Sequence, residues 1–380
     1  MLFMSETGSS EFRWLATGAE ALEAMFQALS AARRSVDLEM YIFRDGVQGR
    51  RFREQLILAC ERGVQVRVLL DGFGSMELPS EYWDEFRRKG GQFRWFNPLE
   101  TGRVAVRDHR KILVCDHETA FIGGLNVADE YMGDGVASGW RDLGLQIGGS
   151  VARQLAAAFD EMFRAAHAVP GFLPQLRRSD RQRSVSTPGG ILLLSAPGRQ
   201  QNPLKQALNA DLAPARSVQI ISAYFLPSWK LRSALMKIAR RGGRVQLILA
   251  GKSDVPVTRF AARNLYHRLL EAGVEIYEYQ PQILHAKLFR IDDIAYVGSL
   301  NLDTRGLRIN YELMIRIRNP EIAAEARDIF KGALLHCRRI TREDWRKPRG
   351  FFTRLREKFS YFLLTRVDPF LAIAKESSGR

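Results

Sequence analysis

Cysteine is scarce: the 380 residues hold three, Cys60, Cys115 and Cys337. Three thiols cannot build a disulfide framework, and no pair has the spacing of a zinc site, so the chain reads as one of a reducing compartment. Long apolar runs are also missing. No window reaches the roughly 18 uncharged apolar residues of a spanning helix. The first ten residues, MLFMSETGSS, lack a basic segment and an apolar core, so no signal peptide is expected. These absences predict a soluble or peripheral protein rather than an integral one. Acidic residues are in deficit, 42 Asp and Glu against 57 Lys and Arg, for a net charge of +15. Folding does not require that excess. It points to a polyanionic partner: nucleic acid, an anionic membrane surface or a phosphate-bearing substrate. Apolar residues are plentiful at 46%, which excludes a disordered chain.

The dominant feature is an internal repeat. RRSVDLEMYIF (33–43) matches ARSVQIISAYF (215–225), and ERGVQVRVLLDG (61–72) matches RRGGRVQLILAG (240–251). DHRKILVCD (108–116) matches LHAKLFRID (284–292), FIGGLN (121–126) matches YVGSLN (296–301), and RDLGLQI (141–147) matches YELMIRI (311–317). Five matches in one order, at a nearly constant offset, establish a duplication. Each half alternates strand and helix patterns. In the first, strands are expected at 36–43, 64–70, 92–96, 112–115, 119–122 and 143–147, with helices at 48–62, 81–89 and 151–166. Such alternation predicts an α/β sandwich with mixed sheets. The expected layout is a first half over 10–169, an exposed linker over 170–190, a second half over 191–342 and a tail over 343–380.

The chemistry-bearing residues are duplicated too. His109, Lys111 and Asp116 form H-x-K-x4-D, and His285, Lys287 and Asp292 form it again. On a strand, positions i and i+2 share a face, so each His projects beside its Lys. A neutral imidazole can attack phosphorus while an ammonium holds the phosphate oxygens. Asn126 and Asn301 follow in G-x-L-N turns, with Ser299 in the place of Gly124. Their amide and hydroxyl donors suit a phosphoryl pocket. One such motif could be strand packing; two at equivalent repeat positions point to function. A catalytic metal is not expected, because lysine is a poor ligand and each copy offers a single His.

These motifs resemble the phospholipase D superfamily, and more closely its bacterial cardiolipin synthases. HRKILVCDHETAFIGGLNVADEY with GWRDLGLQI resembles their first block, and LHAKLFRIDDIAYVGSLNLDTRGLRINYEL their second. The resemblance spans residues 12–341. It implies two pseudo-symmetric α/β sandwich halves sharing one active site at their seam, with no cofactor and no metal. It implies His109 as nucleophile, forming a phosphohistidine, and His285 as the acid that protonates the leaving alcohol. Lys111, Lys287, Asn126, Ser299 and Asn301 would bind phosphate. Asp116 and Asp292 count with the catalytic motif, although their place also fits a strand-end turn. Asp142 and Glu312, at matched repeat positions, would orient the histidines. Tyr41 and Tyr224 could reach the seam or pack in the core. The sequence departs from the family in having no pair of N-terminal spanning helices, which favours the peripheral kind. It departs again after Asp303-Thr-Arg305, where Gly306 stands in the place of the usual Ser.

The implied activity is phosphatidyl transfer between two phosphatidylglycerol molecules, giving cardiolipin, on the cytoplasmic face of the bacterial inner membrane. A lipid hydrolase with water as acceptor, or a nucleic-acid phosphodiesterase, are the alternatives. Nucleic acid is disfavoured because no basic run interleaved with aromatics lies near either motif. The oligomeric state stays open. In the tail, Phe351, Phe352, Leu355, Phe359, Phe362 and Leu363 recur at three- and four-residue spacing. Arg349, Arg354, Arg356, Lys358 and Arg366 surround them. The pattern fits a helix either lying on an anionic leaflet or packed on the protein body.

Overall fold

A computed structural model describes residues 11–98, 106–166, 182–198, 202–346 and 350–367. The first half runs β1 (Phe12–Leu15), α1 (Gly18–Ala31), β2 (Ser35–Met40), α2 (Val47–Glu61), β3 (Gln65–Asp71), α3 (Asp84–Arg88), β4 (Gln92–Phe96), β5 (Ile112–Cys115), β6 (Thr119–Gly123), β7 (Gly144–Ile147) and α4 (Gly149–Ala165). The second opens with β8 (Arg183–Ser186), β9 (Ile191–Ser195), α5 (Pro203–Leu212), β10 (Ser217–Ser222), α6 (Trp229–Arg240), β11 (Arg244–Ala250), α7 (Pro256–Arg263), α8 (Tyr266–Glu271) and β12 (Glu275–Tyr279). It continues with β13 (Lys287–Ile291), β14 (Ile294–Gly298), α9 (Thr304–Arg308), β15 (Glu312–Arg318), α10 (Pro320–Leu334), β16 (Cys337–Ile340), α11 (Arg342–Arg346) and α12 (Phe351–Phe362).

The first sheet has the order β1-β7-β6-β5-β2-β3-β4. β2, β3 and β4 are parallel, and the remaining strands antiparallel. The second sheet repeats it as β9-β15-β14-β13-β10-β11-β12, with β16 and β8 added at the edges. Helix starts follow their capping residues. Thr17 accepts from Glu20 N, Asn202 precedes Pro203, and Asn319 precedes Pro320.

Alternation along the strands sorts side chains between two apolar layers. On β5, Ile112 and Val114 enter a cluster shared with the second sheet, whereas Leu113 and Cys115 face α1 and α2. The shared cluster joins Ile122 and Leu145 to Leu288, Val297 and Ile315, with Leu155 of α4 and Phe330 of α10. The halves therefore share a core. In the first half that layer also holds ion pairs. Arg110 donates twice to Glu39, at 2.6 and 2.8 Å, and Arg67 bridges Asp37 and Asp160.

Several expectations are revised. The helix expected at 81–89 splits into a 3-10 turn, Ser80–Trp83, and α3, with Trp83 buried against Phe43 and Phe86. β1, α1 and β16 were not foreseen. Of the expected linker, 170–181 lies outside the described residues, and 183–186 is the edge strand β8, paired with β9. The body runs past 342, because Trp345 is buried and packs on Tyr266 at 4.9 Å. Residues 347–349, with Arg349, and 368–380 lie outside the described part of the tail.

The motif acids serve the fold. Asp116 (φ 57°) and Asp292 (φ 48°) occupy the left-handed region in the β5–β6 and β13–β14 turns. The Asp116 carboxylate accepts the backbone N–H groups of Arg33, Arg34 and Ser35, while its own N–H bonds Ser35 O. Asp292 does the same for Arg216 and Ser217. Each acid fixes the entry of the neighbouring antiparallel strand, β2 or β10. Asp116→Ala removes an ionised acceptor and leaves Ala with positive φ, so it should cost about 2–4 kcal/mol in urea unfolding. Activity per folded molecule should be unchanged. Lost activity at full stability would instead place Asp116 in the site.

Candidate active site

His109 and Lys111 lead into β5, and His285 leads into β13, which begins at Lys287. Arg110 turns to the opposite face to meet Glu39, which leaves His109 and Lys111 together. The two segments meet at the seam through main-chain bridges. His109 N donates to Tyr311 O at 3.0 Å, and Tyr311 N to Arg107 O at 2.9 Å. Arg141 N donates to Ile283 O, and His285 N to Arg141 O, both at 2.8 Å.

The residue after each bridge is an acid, and each acid serves the other half's histidine. His109 Nδ1–H donates to Glu312 Oε2 at 3.1 Å, and His285 Nδ1–H donates to Asp142 Oδ2 at 2.7 Å. Both acids are buried. The supports differ. Ser299 Oγ–H donates to Glu312, so it braces the acid rather than facing phosphate. At the equivalent Gly124, a Cβ would collide with the Asp142 carboxylate, which instead accepts Leu143 N–H at 2.8 Å.

Burial, reinforced by Lys111, Lys287 and His285, holds His109 well below the ordinary 6.5. Burial and Lys287 also lower His285, but Asp142 opposes them. Burial pushes the Glu312 carboxyl well up. At Asp142 burial acts in the same sense, but Lys287 and the His285 bond outweigh it and the carboxyl ends below its ordinary range. Burial, then Lys287, pushes the Lys111 ammonium down to about 7. Lys111 Nζ donates to His109 O at 2.7 Å, and Lys287 Nζ lies 3.1 Å from His285 Nε2. A fixed Nδ1–H leaves the Nε2 lone pair of each ring as the reactive one.

Not every expected residue arrives here. Asp116 and Asp292 stand at the far ends of β5 and β13. Seven extended residues put each roughly 20 Å from its histidine, so neither is a catalytic residue. Asn126 Oδ1 accepts Ile42 N–H and its Nδ2 donates to Tyr131, so its amide braces the turn. Asn301 Oδ1 is buried without a hydrogen-bond partner. Tyr41 reaches the site, its ring 4.9 Å from His109, whereas Tyr224 donates to Asp254 at 2.5 Å. Tyr131 and Trp140, at 5.4 and 5.6 Å, wall His285; both stand within the first motif block but were not singled out by the sequence reading. Asp254, whose charge acts on His285 and Lys287, carried no sequence signal. A cleft of about 650 Å³ opens beside Arg141, lined by Trp14, Tyr279 and His336; neither site histidine lines it. Among the described residues, no group of three or more His, Cys, Asp or Glu is placed to hold a metal.

Comparison with known proteins agrees with this geometry. The family model described as "Cardiolipin synthase, PLD-like domain" matches residues 25–163 and 208–334. The chain is 32% identical over 365 residues to cardiolipin synthase of Alkalihalophilus pseudofirmus, covering 93% of this chain and 72% of that one. It is 31% identical over 333 residues to cardiolipin synthase B of Shigella flexneri, covering 86% and 80%. Among solved structures, phosphatidylserine synthase of Haemophilus influenzae superposes with a TM-score of 0.75 at 15% identity, covering 95% of each chain. That last likeness speaks for the fold.

The buried lysine sets a pH expectation. With His109 neutral, the acid limb of kcat/KM for a soluble phosphodiester should lie below pH 6.5. The alkaline limb should be under way by the Lys111 value of about 7, as first the His285 imidazolium and then the Lys111 ammonium lose their protons. Lys111→Arg, which stays charged, should remove the lysine's part of that limb and leave the part set by His285. A flat profile from about pH 6 to 9 would show that the lysine keeps its proton throughout.

Proposed function

The chain belongs to the family of cardiolipin synthases with phospholipase D-like domains, and from that premise we propose that it transfers a phosphatidyl group between two phosphatidylglycerol molecules. One observation carries the reading. Two buried imidazoles, each anchored at Nδ1 by the opposite half's carboxylate, share one seam with two buried ammoniums.

His109 stays neutral and acts as nucleophile. Its Nε2 attacks phosphorus, the P–O bond to the head-group glycerol breaks, and a phosphohistidine forms. His285, the more readily protonated ring, gives its proton to the departing oxygen. In the second half-reaction, His285 takes the proton from a hydroxyl of the incoming phosphatidylglycerol. That oxygen attacks phosphorus and the P–N bond breaks, giving cardiolipin. Lys111 and Lys287 hold the phosphate oxygens, so no divalent ion has to neutralise them. Glu312 and Asp142 are positioning residues. The lipid partner is anionic and lies in a membrane, which we place at the cytoplasmic face of the bacterial inner membrane. The net charge of +15 supports attraction to such a surface.

Incubation with phosphatidylglycerol vesicles in EDTA, followed by thin-layer analysis, tests the reading. Cardiolipin and glycerol are expected. Phosphatidic acid would show water as the acceptor, and unchanged lipid would overturn the proposal. His109→Ala should lower turnover by at least about 10³-fold and abolish acid-labile phospho-enzyme. Label on His285 would reverse the two roles.

A further inference from the structure

The tail helix α12 is inside out relative to a packed amphipathic helix. Its apolar residues Phe351, Phe352, Leu355, Phe359 and Phe362 face solvent, with Phe351 73% and Phe352 82% exposed. Its buried residues are polar, Glu357 and Ser360, each 3% exposed, on a helix that packs against α7. Positions 355 and 357 lie about 200° apart around a helix, so the phenylalanine stripe points away from the body. A helix wedged on the protein through its polar side leaves its apolar side for another medium. The attachment is specific. Arg356 lies over the Phe260 ring of α7 at 3.8 Å, and Arg232 of α6 lies 5.9 Å from the Tyr361 ring.

The body adds an exposed aromatic of its own. Trp229, one turn before Arg232 on α6, is 69% exposed. α6 and α7 both follow the carboxyl ends of parallel strands, the edge where Lys287 pairs beside Ser222. Asp254, two residues before α7, holds Tyr224 and acts on His285 and Lys287. The eight residues of α7 span about 12 Å, so the stripe lies at the rim of the site. Arg354, Lys358 and Arg366 are exposed around it.

We infer that α12, with Trp229, is the surface by which the protein docks on an anionic bilayer, apolar stripe in the acyl boundary and basic residues among the head groups. The occupant follows from the charge. A second copy of a chain at +15 would be repelled, whereas an anionic leaflet is attracted and accepts aromatic side chains at its interface. The inference rests on the lipid-substrate reading and adds where the lipid surface lies: docking through α12 holds the rim against the leaflet.

The test is sedimentation with phosphatidylglycerol vesicles in a His109→Ala background, which reads binding without turnover. Substituting Phe351, Phe352 and Phe359 together by Ser should weaken binding about tenfold or more. The same substitutions in the active protein should leave the thermal midpoint, and turnover of a soluble short-chain phosphodiester, unchanged. Vesicles of neutral lipid should bind the His109→Ala protein far less. Should the triple variant unfold, Trp229 reports instead. Its fluorescence, taken as the difference from Trp229→Phe, should shift to the blue and be quenched by brominated lipid. Unaltered vesicle binding by a folded triple variant overturns the proposal. So does a Trp229 signal indifferent to vesicles, or a concentration-dependent dimer that the substitutions abolish while binding persists. Failure of lipid turnover with docking intact would count against the function and spare the surface.

Discussion

Everything at the site depends on two short main-chain bridges across the seam. One sets Tyr311 against the backbone from Arg107 to His109, and the other sets Arg141 against the backbone from Ile283 to His285. Each bridge ends one residue before an acid, so Glu312 and Asp142 are delivered to the ring of the opposite half. Neither half holds a complete histidine–carboxylate pair of its own. The shared core of Ile112, Val114, Leu288 and Ile315 keeps the seam closed, and so couples packing directly to catalytic geometry.

The site carries buried positive groups, an arrangement that suits a phosphate. Two ammoniums are buried together beside two imidazoles, and burial of an ammonium costs several kcal/mol. The protein offsets part of this with two carboxylates one layer behind, aimed at the rings. The result is a pocket with ammoniums low enough in proton affinity for Lys111 to sit near neutrality. An arriving phosphodiester supplies the missing negative charge. That is preorganisation toward charge developing at phosphorus.

Duplication supplied two equal half-sites, and small differences made them unequal. Ser299 braces Glu312, whereas Gly124 leaves room for Asp142 to lie close. Lys287 holds Asp142 ionised, whereas burial raises Glu312. His285 is therefore the more basic ring and His109 the one held further toward neutrality, which supports the proposed division of labour between acid and nucleophile. The same drift shows in the shared layer, where Asp37 and Glu39 of β2 stand in the repeat positions of Gln219 and Ile221.

The sequence by itself determined the duplication, the α/β character and the two H-x-K pairs, because these rest on local periodicity. A His and a Lys two apart on a strand share a face whatever surrounds them. It could not say which acid serves which ring, since Glu312 meets His109 across 203 positions. Nor could it separate Asp116 and Asp292 from the catalytic set, because a motif records spacing and not direction. Only the folded hairpins show that the strand carries these acids away, to cap the backbone of Arg33–Ser35 and Arg216–Ser217. The periodicity of α12 announced an apolar stripe but not its orientation. Tertiary packing decided that, by burying Glu357 and Ser360 on a helix packed against α7 and leaving the phenylalanines outside. Which face of a helix is buried depends on what lies opposite, and that partner is distant in the chain.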